Sequence, residues 1–353
     1  MINAVELEPG GRQIGSGHPC FIAAEIGINH NGDMALARET IAAAAESGAD
    51  GVKFQNYHVD DFLSDRTLTY TYINSGKQIT ESQYDMFKRC QLDAEQLLQL
   101  KECCDSHGLI FFSTPTSQST IDSLMRIRTR LLKNGSDFLT NSDVVSAMAR
   151  SEVPTVLSVG MATLADVEQA VNNFRAAGGT KLILLHCTSS YPTPPSDINL
   201  RRIPMLAAAF GCPVGFSDHS EGVAAAVGSV VLGACFVEKH FTLDRHLPGP
   251  DHWFSSDPHE LKALVANVRT VEQALGTSAI CTVDSESKAR QEFRLSCVAK
   301  RDMEAGETLT EDVIVFRRPG TGIPPKERNN LVGMKLTRKI VAGQVFQWEC
   351  FKQ

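Results

Sequence analysis

A chain of 353 residues carrying 34 Lys and Arg against 41 Asp and Glu has a net charge of −7 and no basic stripe, which argues against nucleic acid or an anionic membrane as a partner. No apolar run approaches the roughly 18–20 residues that span a bilayer, and the opening residues MINAVELEPGGRQ lack the regions of a secretory signal, so a cytoplasmic location is expected. The ten cysteines are scattered without a CxxC pair and read, in a reducing compartment, as small buried apolar residues.

Short apolar runs alternate with longer stretches of helical spacing over the first three quarters of the chain. The runs cover 20–27, 51–57, 109–115, 130–136, 154–160, 181–189, 213–219 and 235–242. Helical spacing is clearest at 34–42 and 164–171, and Gly48, Gly108, Gly211 and Gly233 stand where helix C-termini favour glycine. Strand and helix repeated eight times predict a (β/α)8 TIM barrel over 1–280, with its last helix near 257–275. Residues 60–92 are too many for an ordinary βα connection and are expected to form a lid over the active face.

Beyond the barrel, the polar stretch 281–294 reads as a linker to a small β-rich domain at 295–353. Its residues 300–309 and 337–346 echo each other, each broken by Ala-Gly, which predicts two related β-hairpins. About 60 residues make a marginal independent core, so packing against another surface is expected.

In a TIM barrel the chemistry gathers where the strands end. Those ends carry Glu25, Lys53 with Gln55, Thr114, Lys133 with Ser136, Ser158, Ser189 with Tyr191, Ser217 with His219, and Glu238 with His240. Side chains alternate along a strand, so Ser217 and His219 share a face, as do Glu238 and His240 on the next strand. Two imidazoles at matching positions on successive strands predict a divalent metal with open coordination positions. Two lysines and several hydroxyls suit a phosphate and a carboxylate.

The segments 20–33 and 48–55 resemble the opening of the N-acetylneuraminate (sialic acid) synthase family, and 112–115, 157–163, 186–192, both histidine segments and 248–252 continue the likeness in order. The turn at 318–322 and the Ala-Gly repeats resemble the antifreeze-like SAF domain that ends these enzymes. The resemblance implies condensation of phosphoenolpyruvate with an open-chain N-acetylmannosamine or close derivative, releasing phosphate. By resemblance, His219 and His240 hold a divalent ion, Mn²⁺ first, with Mg²⁺ or Co²⁺ as alternatives. Lys53, Thr114, Lys133, Ser136, Ser158 and Ser217 match phosphoenolpyruvate-binding positions. Glu25, Glu238 and Asp251 are the acids for proton transfer and orientation, while Gln55, Ser189 and Tyr191 line the sugar site. Arg318 is expected to reach a partner's barrel mouth in a domain-swapped homodimer.

The fourth strand departs from the family pattern. Residues 133–138 place Asn134 where an aliphatic is usual and Phe138 where a small or acidic residue is usual, so Asn134 needs a hydrogen-bond partner and Phe138 needs apolar cover. The motif at 188–192 also resembles legionaminate- and pseudaminate-type members that use 2,4-diacetamido-2,4,6-trideoxyhexoses. A metal-dependent aldolase or isomerase and a non-catalytic sugar-binding barrel are the remaining alternatives.

Overall fold

The computed structural model describes residues 2–74 and 76–351. They divide into two compact units, 1–276 and 277–353.

The first unit is a closed, all-parallel barrel whose strands follow chain order. They are β1 Phe21–Gly27, β2 Gly51–Asn56, β3 Ile110–Pro115, β4 Leu132–Asn134, β5 Thr155–Ser158, β6 Leu182–Cys187, β7 Val214–Asp218 and β8 Phe236–His240. β8 returns to β1 in register, with His240 opposite Glu25, and that pairing closes the ring. The predicted run 130–136 is only partly strand: β4 has three residues, and Ser136–Phe138 folds into a 3-10 turn.

Alternation sorts each strand into two faces. Along β1, Ile22, Ala24 and Ile26 join the core beneath the surrounding helices, whereas Phe21 and Ala23 belong to the cluster inside the barrel. Phe21, Phe112 and Phe236 fill that interior, Phe21 stacking on Phe236 at 4.8 Å between ring centroids and Phe112 meeting Phe236 edge-on at 6.1 Å. Two inward glycines make the space. A Cβ on Gly51 would lie 2.7 Å from the Phe21 ring, and one on Gly215 would lie 2.6 Å from Phe236 Cβ. Val5, Leu7 and Ile14 pack onto the same cluster from the short antiparallel pair Val5–Glu6 and Gln13–Ile14. An apolar plug therefore fills one end of the barrel, and ionisable side chains begin one alternation step above it.

The last barrel helix, Pro258–Leu275, starts as its sequence dictates: Pro258 occupies the first turn, and the Asp257 side chain accepts from the Glu260 amide at 2.9 Å. The long connection after β2 contains helix Val59–Phe62, an antiparallel hairpin of Thr69–Asn74 with Lys77–Ser82, and helix Gln83–Cys90. Among the described residues no helix is long and apolar enough to cross a membrane.

The second unit begins with helix Ser287–Phe293, inside the segment read as linker. Its strands β9 Ser296–Ala299 and β10 Ile314–Arg317 pair antiparallel. The two Ala-Gly repeats do not form separate hairpins. They pair with each other about a local pseudo-two-fold: Met303 and Ile340, equivalent positions of the repeats, exchange amide-carbonyl bonds of 2.8 and 3.0 Å. The Gly306 amide donates to Leu336 O at 2.7 Å, and the equivalent Gly343 amide donates to Ala299 O at 2.8 Å. Both glycines have φ +85°, a left-handed conformation that glycine adopts without a Cβ clash. Reciprocal pairing lets each repeat cover the other's apolar side, with Met303 and Ile340 fully buried.

Ile340→Ala should therefore cost about 2–5 kcal/mol of local stability. The check is faster hydrogen exchange of the Met303 and Gly306 amides, and unchanged exchange there would remove the dyad from the account.

Candidate active site

One cavity of about 480 Å³ opens where the strands end, and every predicted site residue of the first unit lines it. Arg318 belongs to the second unit, where its guanidinium lies over the Phe293 ring, 5.1 Å from the centroid.

At its base lies a buried charge cluster. Lys53 Nζ is 3.0 Å from Glu238 Oε1 and 3.4 Å from Glu25 Oε1, and Lys133 Nζ is 3.8 Å from the same Glu238 oxygen. All four side chains are almost inaccessible to solvent. Burial raises Glu25 to about 8, with Lys53 pulling it back only in part. Burial also pushes Glu238 upward, but Lys133 and Lys53 together hold it down to about 2. Burial draws Lys133 below its usual range, and Lys53 opposes it further. Against the same burial, Glu238 and Glu25 raise Lys53. At neutral pH the pair of acids thus holds one proton, on Glu25, while Glu238 is the anion that both lysines share.

Hydroxyls surround this cluster. Lys133 Nζ donates to Ser158 Oγ at 2.6 Å, so the Ser158 proton is free to point into the cavity. The Gly160 amide donates to Ser136 Oγ at 3.0 Å, and that hydroxyl also lies 3.0 Å from Cys187 Sγ. Thr114 Oγ1 is buried with no hydrogen-bond partner among the described residues. Gln55 Nε2 donates to Glu25 Oε1 at 3.4 Å.

The two histidines stand beside this polar floor, their ring centroids 5.4 Å apart. His219 Nδ1 lies 2.7 Å from the Thr188 carbonyl, which can only accept, so Nδ1 carries the proton and Nε2 presents a lone pair. Ser217 Oγ, 3.3 Å from that Nε2, gives its single proton to Glu238 Oε1 at 3.1 Å and leaves the lone pair unclaimed. His240 Nδ1 is buried without a hydrogen-bond partner, its nearest carboxylate oxygen being Asp251 Oδ2 at 3.8 Å. Burial lowers His219 to about 4 and His240 well below its usual value, so both rings are neutral, as metal ligands must be. Burial raises Asp251 to about 7. No three His, Cys, Asp or Glu side chains converge at metal-ligand spacing among the described residues. Two imidazoles with unclaimed nitrogens therefore fit an ion whose other positions are filled by oxygen from solvent or substrate.

The neighbouring side chains hold this geometry. Tyr191 lies against His219 at 4.2 Å, and Phe254 against His240 at 5.1 Å. On the outer faces of β7 and β8, Lys239 Nζ meets Asp218 Oδ2 at 2.9 Å, tying the residues next to the two histidines. The departures in the fourth strand are partly answered. Asn134 Nδ2 donates to the Phe138 carbonyl at 3.3 Å, while Asn134 Oδ1 is buried and unpaired. Phe138 packs against the barrel core and borders the cavity.

Sequence reasoning missed the Gly160 amide, the Thr188 carbonyl, Cys187, Asp137 and Phe254. Cys187 carried a findable signal, since it ends β6, and Asp137 lies in the turn after β4, but backbone groups carry none. The apolar lining supplied by the lid, including Tyr57, Phe62 and Phe87, was also unassigned.

The family model described as "NeuB family" matches residues 40–279, and the "SAF domain" model matches residues 296–352. The chain is 39% identical over 339 residues to the N,N'-diacetyllegionaminic acid synthase of Legionella pneumophila, covering 95% of both chains. It is 36% identical over 324 residues to the enzyme of the same name from Campylobacter jejuni, covering 90% of this chain and 96% of that one. The crystal structure of an N-acetylneuraminic acid (sialic acid) synthetase from Leptospira borgpetersenii in complex with citrate superposes with a TM-score of 0.73 at 32% identity, over 82% of this chain and 95% of that one.

Lys53→Met leaves two buried carboxyls facing Lys133 alone. We expect a loss of about 3–5 kcal/mol in urea denaturation at pH 7, and wild-type stability would contradict the cluster. Glu25 is raised from 4.5 unfolded to about 8 folded, so its contribution is complete below pH 4.5 and is lost as pH rises through 8. The stability difference between wild type and Glu25→Gln should fall steadily across that window, and a flat difference would place the proton elsewhere.

Proposed function

The chain belongs to the NeuB family and carries a SAF domain after its barrel, and on that premise we propose that it is a nonulosonic acid synthase condensing phosphoenolpyruvate with an open-chain, N-acylated mannosamine-type aldose and releasing phosphate. The observation that carries this reading is the division of one cavity into a half with two lysines and a half with two imidazoles. A metal-dependent aldolase or isomerase on the same barrel has use for the imidazoles but not for the lysine and hydroxyl set.

Lys53 and Lys133, with the hydroxyls of Thr114, Ser136, Ser158 and Ser217, bind the phosphate and carboxylate of phosphoenolpyruvate. His219 and His240 hold a divalent ion, Mn²⁺ first, which when bound supplies Lewis-acid polarisation of the aldehyde. The neutral carboxyl of Glu25 donates a proton to the aldehyde oxygen as C3 of phosphoenolpyruvate bonds to C1 of the sugar. Water adds at C2, one of its protons returning to the Glu25 carboxylate and the other leaving with the phosphate as the C2–O bond breaks, which leaves the 2-keto acid. Asp251, raised to about 7 by burial, and Gln55, Ser189 and Tyr191 orient the sugar hydroxyls. In a homodimer, Arg318 of one subunit contacts the acyl group held by the other.

A 2,4-diacetamido-2,4,6-trideoxymannose fits this cavity better than N-acetylmannosamine 6-phosphate. Among the described residues lining the cavity, the cations are Lys53 and Lys133, both taken up by the carboxylates and phosphoenolpyruvate. A second phosphate has no counter-charge among these lining residues. The identity to the two diacetyllegionaminic acid synthases, 39% and 36%, points the same way.

A phosphate-release panel decides between substrates: N-acetylmannosamine, its 6-phosphate and the trideoxy sugar, each with phosphoenolpyruvate and with Mn²⁺ restored after chelation. Release should require both substrates and the added metal, and the double variant His219→Ala/His240→Ala should fall by at least about 100-fold. Full activity in that variant would exclude the histidines from the reaction.

A further inference from the structure

The cavity has two chemically opposite walls. The barrel floor presents Lys53, Lys133, Glu25, Glu238 and hydroxyls, whereas the connection after β2 presents Tyr57, Phe62, Tyr70, Met86 and Phe87, with Gln83 and the tyrosine hydroxyls as its polar groups among the described lining residues. Lysine, arginine and carboxylate side chains are absent from the lid's share of the described lining.

The lid wall is built, not incidental. Tyr57, Phe62 and Phe87 form a closed triangle of edge-on rings with centroids 5.5, 5.5 and 5.3 Å apart. The Tyr57 hydroxyl donates to the Phe87 carbonyl at 3.1 Å, which fixes the ring and satisfies its polar end in the protein. Tyr57 and Met86 are 3% and 2% exposed and form, with Ile28 and Cys90, a small core against which Phe62, Tyr70 and Phe87 pack while remaining half-exposed. The lid is seated closely on the barrel: a Cβ at Gly32 would lie 2.3 Å from the Arg89 carbonyl oxygen, so the β1 loop approaches the lid as only glycine allows. Rigid apolar surface facing a cavity recovers its hydration cost only when a ligand brings apolar groups to it.

Resting on the synthase reading above, we propose that this aromatic lid wall, centred on Phe62 and Phe87, is the specificity element that selects a sugar bearing uncharged methyl-ended substituents, the C6 methyl and the C4 acetamido group, over one with free hydroxyls or phosphate. Each methyl pressed on the wall is covered on one side by a ring held by its neighbours. A hydroxymethyl or phosphate pressed on the Phe62 and Phe87 rings loses water without gaining a hydrogen-bond partner from them.

The test compares kcat/KM for 2,4-diacetamido-2,4,6-trideoxymannose with that for N-acetylmannosamine, in wild type, Phe87→Ala and Phe87→Leu, with thermal melts to establish folding. The wild-type ratio should favour the trideoxy sugar, Phe87→Ala should reduce the ratio by about tenfold or more, and Phe87→Leu should restore most of it. A ratio unchanged by Phe87→Ala, with both sugars losing equally, overturns the inference. So does a wild type without preference for the trideoxy sugar, although the synthase reading then stands. Phosphate release with neither sugar overturns both. If Phe87→Ala fails to fold, Phe62→Ala carries the same comparison.

Discussion

The site depends on partial charge compensation among four ionisable groups inside a closed apolar barrel. A lone charge at the position of Lys133, 2% exposed, would cost several kcal/mol, and the barrel holds two lysines there only because Glu238 lies between them. Glu25 escapes the same cost by keeping its proton. The outcome is a cluster with one shared anion, two cations and a neutral acid. It is short of negative charge by about one unit, and Lys133 bears the strain as a lowered proton affinity. An anionic ligand placed beside Lys133 removes that strain, so ligand affinity and the lysine's charge reinforce each other.

The barrel's geometry makes this cluster possible by separating what must be dry from what must be charged. Phe21, Phe112 and Phe236 occupy one layer, and Gly51 and Gly215 yield the space their rings need. One alternation step on, the same strand faces carry Lys53, Ser217 and Glu238. Register does the rest: Ser217 lies opposite Glu238, and His240 opposite Glu25, so groups distant in sequence meet without long side-chain excursions. The Asp218–Lys239 pair lies on the outer faces of the two histidine-bearing strands and resists a slip that would turn either imidazole outward.

Much of this was legible in the sequence because parallel barrel strands are buried on both faces and read as apolar runs ending in polar residues. A period of two then set Ser217 with His219, and Glu238 with His240, on shared strand faces. The rest failed for physical reasons. The Gly160 amide and Thr188 carbonyl act through the backbone, which has no side-chain signature. The three-residue β4 gave way to a 3-10 turn after Asn134, whose side-chain amide donates to the carbonyl of Phe138. In the tail, two similar segments can pair internally or with each other, and local pattern is identical in both cases. Reciprocal bonds at Met303 and Ile340 decide it.

Polarity changes along the barrel axis, and this orders the two ligands of the proposed reaction. Lys133 and Lys53 are buried, at 2% and 5% exposure, whereas Tyr191 is 40% exposed. A small dianion finds counter-charge only at the bottom, and the lid's rings offer none above it. On the proposed reading the sugar would lie between phosphoenolpyruvate and the lid, its aldehyde toward the imidazoles and its apolar substituents toward Phe62 and Phe87. Bound there it excludes bulk water from the charge cluster beneath it, so each lysine–phosphate contact strengthens when both substrates are in place.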